Sequence, residues 1–252
     1  MDAMVPERGL SCLTRGIPYI KSRKATYADF GESDLYGILG HRLTEAAKIE
    51  ATILGHSIFL KTDNGFQRIE LHSEAQFSPA FGAVVADMDG DGHEDIFLSQ
   101  NFFAYQIETS RSDAGRGLWL RGDGTGVLTP VPGQESGIEV YGEQRGAAAA
   151  DFDGNGRIDL VVSQNGAPTK MYRNVKGKPG LTINDMVTSQ FRVKYKNGSY
   201  GPLREVQIGS GYWSQSSSVV VGFRQGAKVI EIMSVDGKVR EHPVQADTPS
   251  SF

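Results

Sequence analysis

The chain carries one cysteine, Cys12, in 252 residues. No internal disulfide can form, so cysteine pairing cannot reveal the compartment. With no motif around it, the thiol reads as inert rather than nucleophilic. Long apolar runs are missing too: none approaches the roughly 18 residues a helix needs to span a bilayer. The opening Met-Asp-Ala-Met-Val-Pro-Glu-Arg lacks the charged-then-apolar order of a signal peptide. Either the protein is intracellular or its true beginning lies upstream. Nor is there an excess of basic residues. The 26 basic and 30 acidic residues leave a net charge of −4, which argues against a nucleic-acid partner that would require a basic face. Catalytic constellations are absent: the five histidines (His41, His56, His72, His93, His242) have no metal-ligand spacing. No Gly-x-Ser-x-Gly elbow or other nucleophile motif appears, and the expectation is a protein that is not an enzyme.

Glycine, by contrast, is plentiful at 31 residues, as expected where short strands alternate with tight turns. The stretch Asp87–Asp95 reads Asp-Met-Asp-Gly-Asp-Gly-His-Glu-Asp, with carboxylates at relative positions 1, 3, 5 and 9. Hard divalent cations, calcium above all, take six to eight oxygen ligands, and an alternating-Asp loop can turn several inward together. The glycine at position 6 permits the sharp turn that closes such a loop. The pattern returns as Asp151-Phe-Asp-Gly-Asn-Gly-Arg-Ile-Asp159. Aligning 81–101 with 145–165 gives 11 identities in 21 positions: Gly82, Ala83, Ala86, Asp87, Asp89, Gly90, Gly92, Asp95 and Ser99-Gln100-Asn101 in the first copy.

Around these loops the pattern is β. Ile58-Phe59-Leu60 and Phe66–Ile69 flank a turn at 62–65 and read as a hairpin. Phe81–Ala86 and Gly146–Ala150 lead into the acidic loops; Ile96-Phe97-Leu98 and Leu160-Val161-Val162 leave them. Leu118-Trp119-Leu120 and Val127-Leu128 repeat the first hairpin around Gly122–Gly126. A β-rich unit recurring at about 60 residues is the signature of a propeller or similar array, whose units bury their faces only by stacking. Before the repeats, residues 1–54 are expected to hold one amphipathic helix over about 33–51, with Leu35, Ile38, Leu39, Leu43, Ala46, Ala47 and Ile49 on one face. After the two blades of 55–175, Lys176-Gly-Lys-Pro-Gly180 reads as a basic, flexible linker. A small all-β domain over 181–244 follows, with a polar tail over 245–252.

An EF-hand requires a bidentate Glu at position 12 and flanking helices. Position 12 is Leu98 in one loop and Val162 in the other, so the ligand set closes at position 9 in a loop joining two strands. The expected ligands are Asp87, Asp89, Asp91, Asp95 and the main-chain carbonyl of His93, then Asp151, Asp153, Asn155, Asp159 and the carbonyl of Arg157. About two structural calcium ions follow from this; the competing reading is Asx-rich turns without an ion. Arg121-Gly122-Asp123 spells an integrin-ligand tripeptide, but its glycine and aspartate are already accounted for as turn residues. Asn197-Gly198-Ser199 reads as a hairpin turn unless the setting is eukaryotic and secretory.

Phe81-Gly82-Ala83 followed by Asp-x-Asp-x-Asp-Gly-x-x-Asp and a short apolar strand resembles the FG-GAP (VCBS-type) repeat of integrin-α-like β-propellers. The second copy departs at Arg145 and at Asn155. The C-terminal module resembles an ASPIC/UnbV domain through Gly209-Ser-Gly-Tyr-Trp-Ser-Gln-Ser216, Phe223 and Val235-Asp236-Gly237. It departs at Arg224-Gln225 and at Ser234-Val235. The combination is similar to the cartilage acidic protein-like family. The resemblance implies a mainly β fold, a partial propeller of FG-GAP blades with a helical insertion near the N-terminus. It also implies a secreted, cell-surface or periplasmic calcium-binding protein for adhesion to proteins or glycans outside the cytoplasm, without chemistry. Propellers close with about four to eight blades, so two repeats point to a piece of a longer chain or to completion by a second copy. The alternative reading is a carbohydrate-binding or carbohydrate-processing accessory using Trp119, Tyr141, Tyr212 and Trp213 as stacking platforms.

Overall fold

The computed structural model describes residues 4–183, 188–206 and 219–244. The chain divides into two compact units, Met1–Leu54 and Gly55–Phe252. The first holds five short helices: α1 (Leu10–Gly16), α2 (Tyr19–Arg23), α3 (Tyr27–Gly31), α4 (Leu35–Leu39) and α5 (Arg42–Glu45). The first four each bury one large side chain, and Leu10, Ile20, Phe30 and Ile38 meet in a small core with Leu13 and Leu39 against it. Thr26 and Asp34 cap α3 and α4, accepting from the Asp29 and Gly37 N–H groups at 3.1 and 2.7 Å.

One amphipathic helix over 33–51 does not form. Gly40 takes φ 61°, ψ −143° and ends α4, and the Arg23 guanidinium donates to the Ile38 carbonyl at 3.1 Å and to that of Gly37 at 3.4 Å. The last carbonyls of α4 are thus satisfied from outside the helix, and nothing favours its continuation. Residues 46–51 are not helical, and Ile49, counted on the apolar face, is 95% exposed.

The second unit is mainly β, in several small antiparallel sheets that, among the described residues, do not close into a propeller. A hairpin of β1 (Ser57–Thr62) and β2 (Gly65–Glu70) precedes helix α6 (Ser73–Gln76). The next sheet has the order β3-β4-β5-β6, from β3 (Ala80–Ala86), β4 (Asp95–Gln100), β5 (Leu118–Gly122) and β6 (Leu128–Pro130). After α7 (Gly133–Ser136) comes a three-stranded sheet of β7 (Glu143–Ala150), β8 (Asp159–Asn165) and β9 (Ala167–Tyr172). The C-terminal strands are β10 (Leu181–Ile183), β11 (Thr188–Tyr195), β12 (Arg204–Glu205), β13 (Val219–Val221), β14 (Ala227–Ser234) and β15 (Val239–Pro243). They form a sheet of order β12-β11-β14-β15 and the pair β10-β13. The Gly209–Ser216 motif, Tyr212 and Trp213 with it, lies outside the described residues.

The two acidic loops occupy equivalent places, joining β3 to β4 and β7 to β8. Both pairs carry a bulge at the same point: Phe81 is the extra residue in β3 and Arg145 in β7. These two residues meet, with the Arg145 guanidinium 4.5 Å from the Phe81 ring centroid. The departure from Phe at position 145 therefore creates a cation–π contact between the repeats. Backbones approach closely there, since a Cβ on Gly82 would lie 3.4 Å from the Gly146 Cα. The alanines of β7 serve the same end; the strand is buried along most of its length and touches both β3 and β4. Phe97, Val84, Ala149, Leu160, Val162 and Val220 belong to one core cluster, which joins the two repeats to the C-terminal strands.

Candidate metal centres

Each acidic loop is wired by backbone N–H groups, most of them its own and one from the end of the third strand of its sheet or just beyond it. Asp87 accepts from the N–H groups of Asp91 and Gly92 at 3.0 and 2.8 Å, and Asp95 from those of Met88 and Gly122 at 2.9 and 2.8 Å. In the second loop Asp151 accepts from Asn155 and Gly156, both at 2.9 Å, and Asp159 from Phe152 and Asn174 at 3.0 and 2.7 Å. Gly90, Gly92, Gly154 and Gly156 all adopt positive φ, between 73° and 91°, which turns successive N–H groups toward the carboxylates.

This wiring gathers Asp87, Asp89 and Asp95 so that one oxygen from each lies within 4.8 Å of the others; Asp151, Asp153 and Asp159 do the same. Asp91 and Asn155 bend back instead, accepting from the N–H groups of His93 and Arg157 at 2.8 and 2.9 Å. Position 12 is closed to ligation: Leu98 and Val162 are buried in β4 and β8.

Asp87 and Asp95 are 4% and 0% exposed. Burial pushes Asp87 up to about 6, helped by Asp91 and Asp89 and opposed by the Gly92 N–H and the Arg204 charge. Burial likewise raises Asp95 to about 7, against its bonds from Gly122 and Met88 and with the charges of Asp89 and Asp87 behind it. Ionising such a cluster without a counter-charge is costly. Three hard oxygens on each loop fit a hard divalent ion, and its charge would remove that cost.

The C-terminal strands and the segment before them cover the loops. A Cβ on Gly222 would lie 1.6 Å from Asp87 Oδ2, and the Thr182 hydroxyl donates to Asp151 Oδ2 at 2.7 Å. Arg204 of β12 pairs with Glu94 and donates to the Gly92 carbonyl at 3.2 Å. Residues 176–180 are not a free linker: the Lys178 N–H donates to the Asp89 carbonyl at 2.8 Å and the Gly180 N–H to that of Gly156 at 2.7 Å.

Arg121, noted in the sequence only as the first residue of the Arg-Gly-Asp tripeptide, and Arg173, which no motif marked, also belong to the site. Arg121 Nε is 3.0 Å from Asp89 Oδ2, and Arg173 pairs with Asp153. The Arg-Gly-Asp residues are thus committed within the fold. Asp123 accepts from the Thr125 N–H and hydroxyl at 2.8 and 2.7 Å, and a Cβ on Gly122 would strike the Glu94 carbonyl at 2.0 Å. Asn197 likewise holds a turn, accepting from Ser199. Trp119 packs against the core under the Arg121 guanidinium, 5.1 Å from its ring, whereas Tyr141 is exposed. Among the described residues no helix is long and apolar enough to cross a membrane.

Fold and site together define a mainly β protein with two matching acidic loops, each joining two strands. No family model matches the chain. It is 28% identical over 202 residues to Cartilage acidic protein 1 of Xenopus tropicalis, covering 73% of this chain and 30% of that protein. Against Cartilage acidic protein 1 of Mus musculus the figures are 26% over 190 residues, 69% and 28%. The chain therefore spans less than a third of the length of the curated relatives it matches.

Proposed function

We propose that the chain is a non-catalytic, calcium-binding interaction module that works outside the cytoplasm. Its two repeats would be neighbouring blades of an FG-GAP-type partial propeller, and calcium would be structural. One observation carries the reading: two loops 64 residues apart, Asp87 to Asp151, gather the same three carboxylates through the same backbone hydrogen bonds. Asx turns alone account for the hydrogen bonds but leave three like charges together, two of them buried in the first loop, and a divalent ion supplies what is missing. Asp91 and Asn155, with the carbonyls of His93 and Arg157, would complete the coordination once the side chains turn from their loop N–H groups. The similarity to Cartilage acidic protein 1 supports a role in contacts with proteins or glycans at a cell surface or in a matrix.

Calorimetric titration with calcium chloride tests this. Two ions per chain are expected, with Asp95→Asn and Asp159→Asn each removing one. A chain that takes up no calcium refutes the reading.

A further inference from the structure

Arg121 and Arg173 stand in equivalent positions that the primary sequence hides. Leu120 of β5 pairs with Ile96 and Tyr172 of β9 pairs with Leu160; Ile96 and Leu160 each follow the last aspartate of a loop, Asp95 and Asp159. The next residue, Arg121 in β5 and Arg173 just past the end of β9, is therefore an arginine in the same place. Each arginine reaches the aspartate at position 3 of its loop, Asp89 or Asp153. Two repeats with otherwise different third strands have arrived at the same ion pair.

We propose that these arginines are built-in counter-cations: each occupies the position-3 carboxylate while the loop is ion-free and yields it when a divalent ion binds. The inference rests on the calcium reading above. Asp89 and Asp153 are the most exposed members of their triads, with side chains 24% and 28% exposed, so they are where a competing cation can reach. The guanidiniums have room to leave, being 42% and 65% exposed. Both line a single cavity of about 410 Å³ whose walls include Trp119 and Tyr172. Arg121 also keeps a second carboxylate, Glu135 Oε1 at 3.3 Å, on leaving Asp89.

A dication on Asp89 or Asp153 would lie roughly 5–6 Å from a guanidinium that stayed. With water-like screening, repulsion between +2 and +1 at that separation weakens ion binding about tenfold. Each arginine thus sets the affinity of its loop without being a ligand.

Calorimetric titration of the full chain with calcium chloride at low ionic strength tests the proposal. Arg121→Gln is expected to tighten the first site about tenfold, and Arg173→Gln the second, with Asp159→Asn and Asp95→Asn backgrounds isolating each. In 1 M potassium chloride the gain should shrink to about threefold or less. Lys238→Gln removes the same charge from a pair with Asp236 at 2.7 Å on the C-terminal hairpin and should change nothing. Arg173→Lys, which keeps the charge, should stay near the parent protein. If Arg121→Gln fails to fold, the more exposed Arg173→Gln carries the same test. Calcium bound with unchanged or weaker affinity in both Gln variants overturns the counter-cation role and leaves the calcium reading standing. No calcium uptake by parent or variants overturns the calcium reading itself, and this inference with it.

Discussion

Removing calcium should destabilise the second unit by an amount that grows with pH. A ligand that binds only the native state stabilises it by about 2.7 kcal/mol when present at 100 times its Kd, so two such sites contribute about 5 kcal/mol. For a domain of 150–250 residues each kcal/mol moves Tm by about 2–4 °C. The gap between saturating calcium and EDTA should then be about 10–20 °C. The direction with pH comes from Asp87 and Asp95, which burial raises to about 6 and about 7 in the ion-free protein. Both folded values exceed the unfolded value near 3.9. Between about pH 4 and 7 the native state accordingly holds more protons than the unfolded chain, and its stability falls as pH rises. At about 1.4 kcal/mol per unit, the pair costs the ion-free protein on the order of 7 kcal/mol once both are ionised.

Calcium replaces those protons, so its effect should be small at pH 5 and near its maximum at pH 8. Melting followed by circular dichroism in calcium and in EDTA, at half-unit steps between those limits, measures this directly. Equal melting curves at pH 8, or a gap that narrows as pH rises, would refute the reasoning.

Two further substitutions probe the surroundings of the loops. Gly222→Ala places a methyl 1.6 Å from Asp87 Oδ2; calcium titration should show the first site weakened at least tenfold and the second unchanged. Arg145→Ala removes the stack on Phe81 and leaves Glu143, 4% exposed, without the guanidinium it contacts at 2.5 Å. A buried carboxylate stripped of its partner costs about 3–5 kcal/mol, here about 2–4 because the Phe103 N–H and the Asn165 amide still donate to it; urea unfolding would measure the loss.

The parts legible in the sequence are those in which one local rule decides. Alternating aspartates separated by Gly90 and Gly92 leave few options but a turn, and a Leu or Val at position 12 excludes an EF-hand whatever the surroundings. The hairpin at Asp63-Asn64 was legible for the same reason, with Thr62 opposite Gly65. The single helix over 33–51 was misread because periodicity was counted through Gly40, whose φ of 61° ends α4, and because the carbonyls before it are taken by Arg23, a residue seventeen positions away that no local window includes.

Arg121 and Arg173 were hidden for a related reason. The loops are 64 residues apart, but the arginines are 52 apart, since seventeen residues (101–117) join β4 to β5 and only Gly166 joins β8 to β9. Sequence alignment keeps register only while connections have equal length, whereas hydrogen-bonded strands restore it whatever the connection. Residues set by sheet register, and those delivered by a later segment such as Gly222, Thr182 and Lys178, are therefore invisible to spacing. They are also the residues that determine whether an ion bound in these loops is buried, paired or contested. That is why the sequence can nominate candidate ligands, while the affinity of any such site has to be argued from strands that contain none of them.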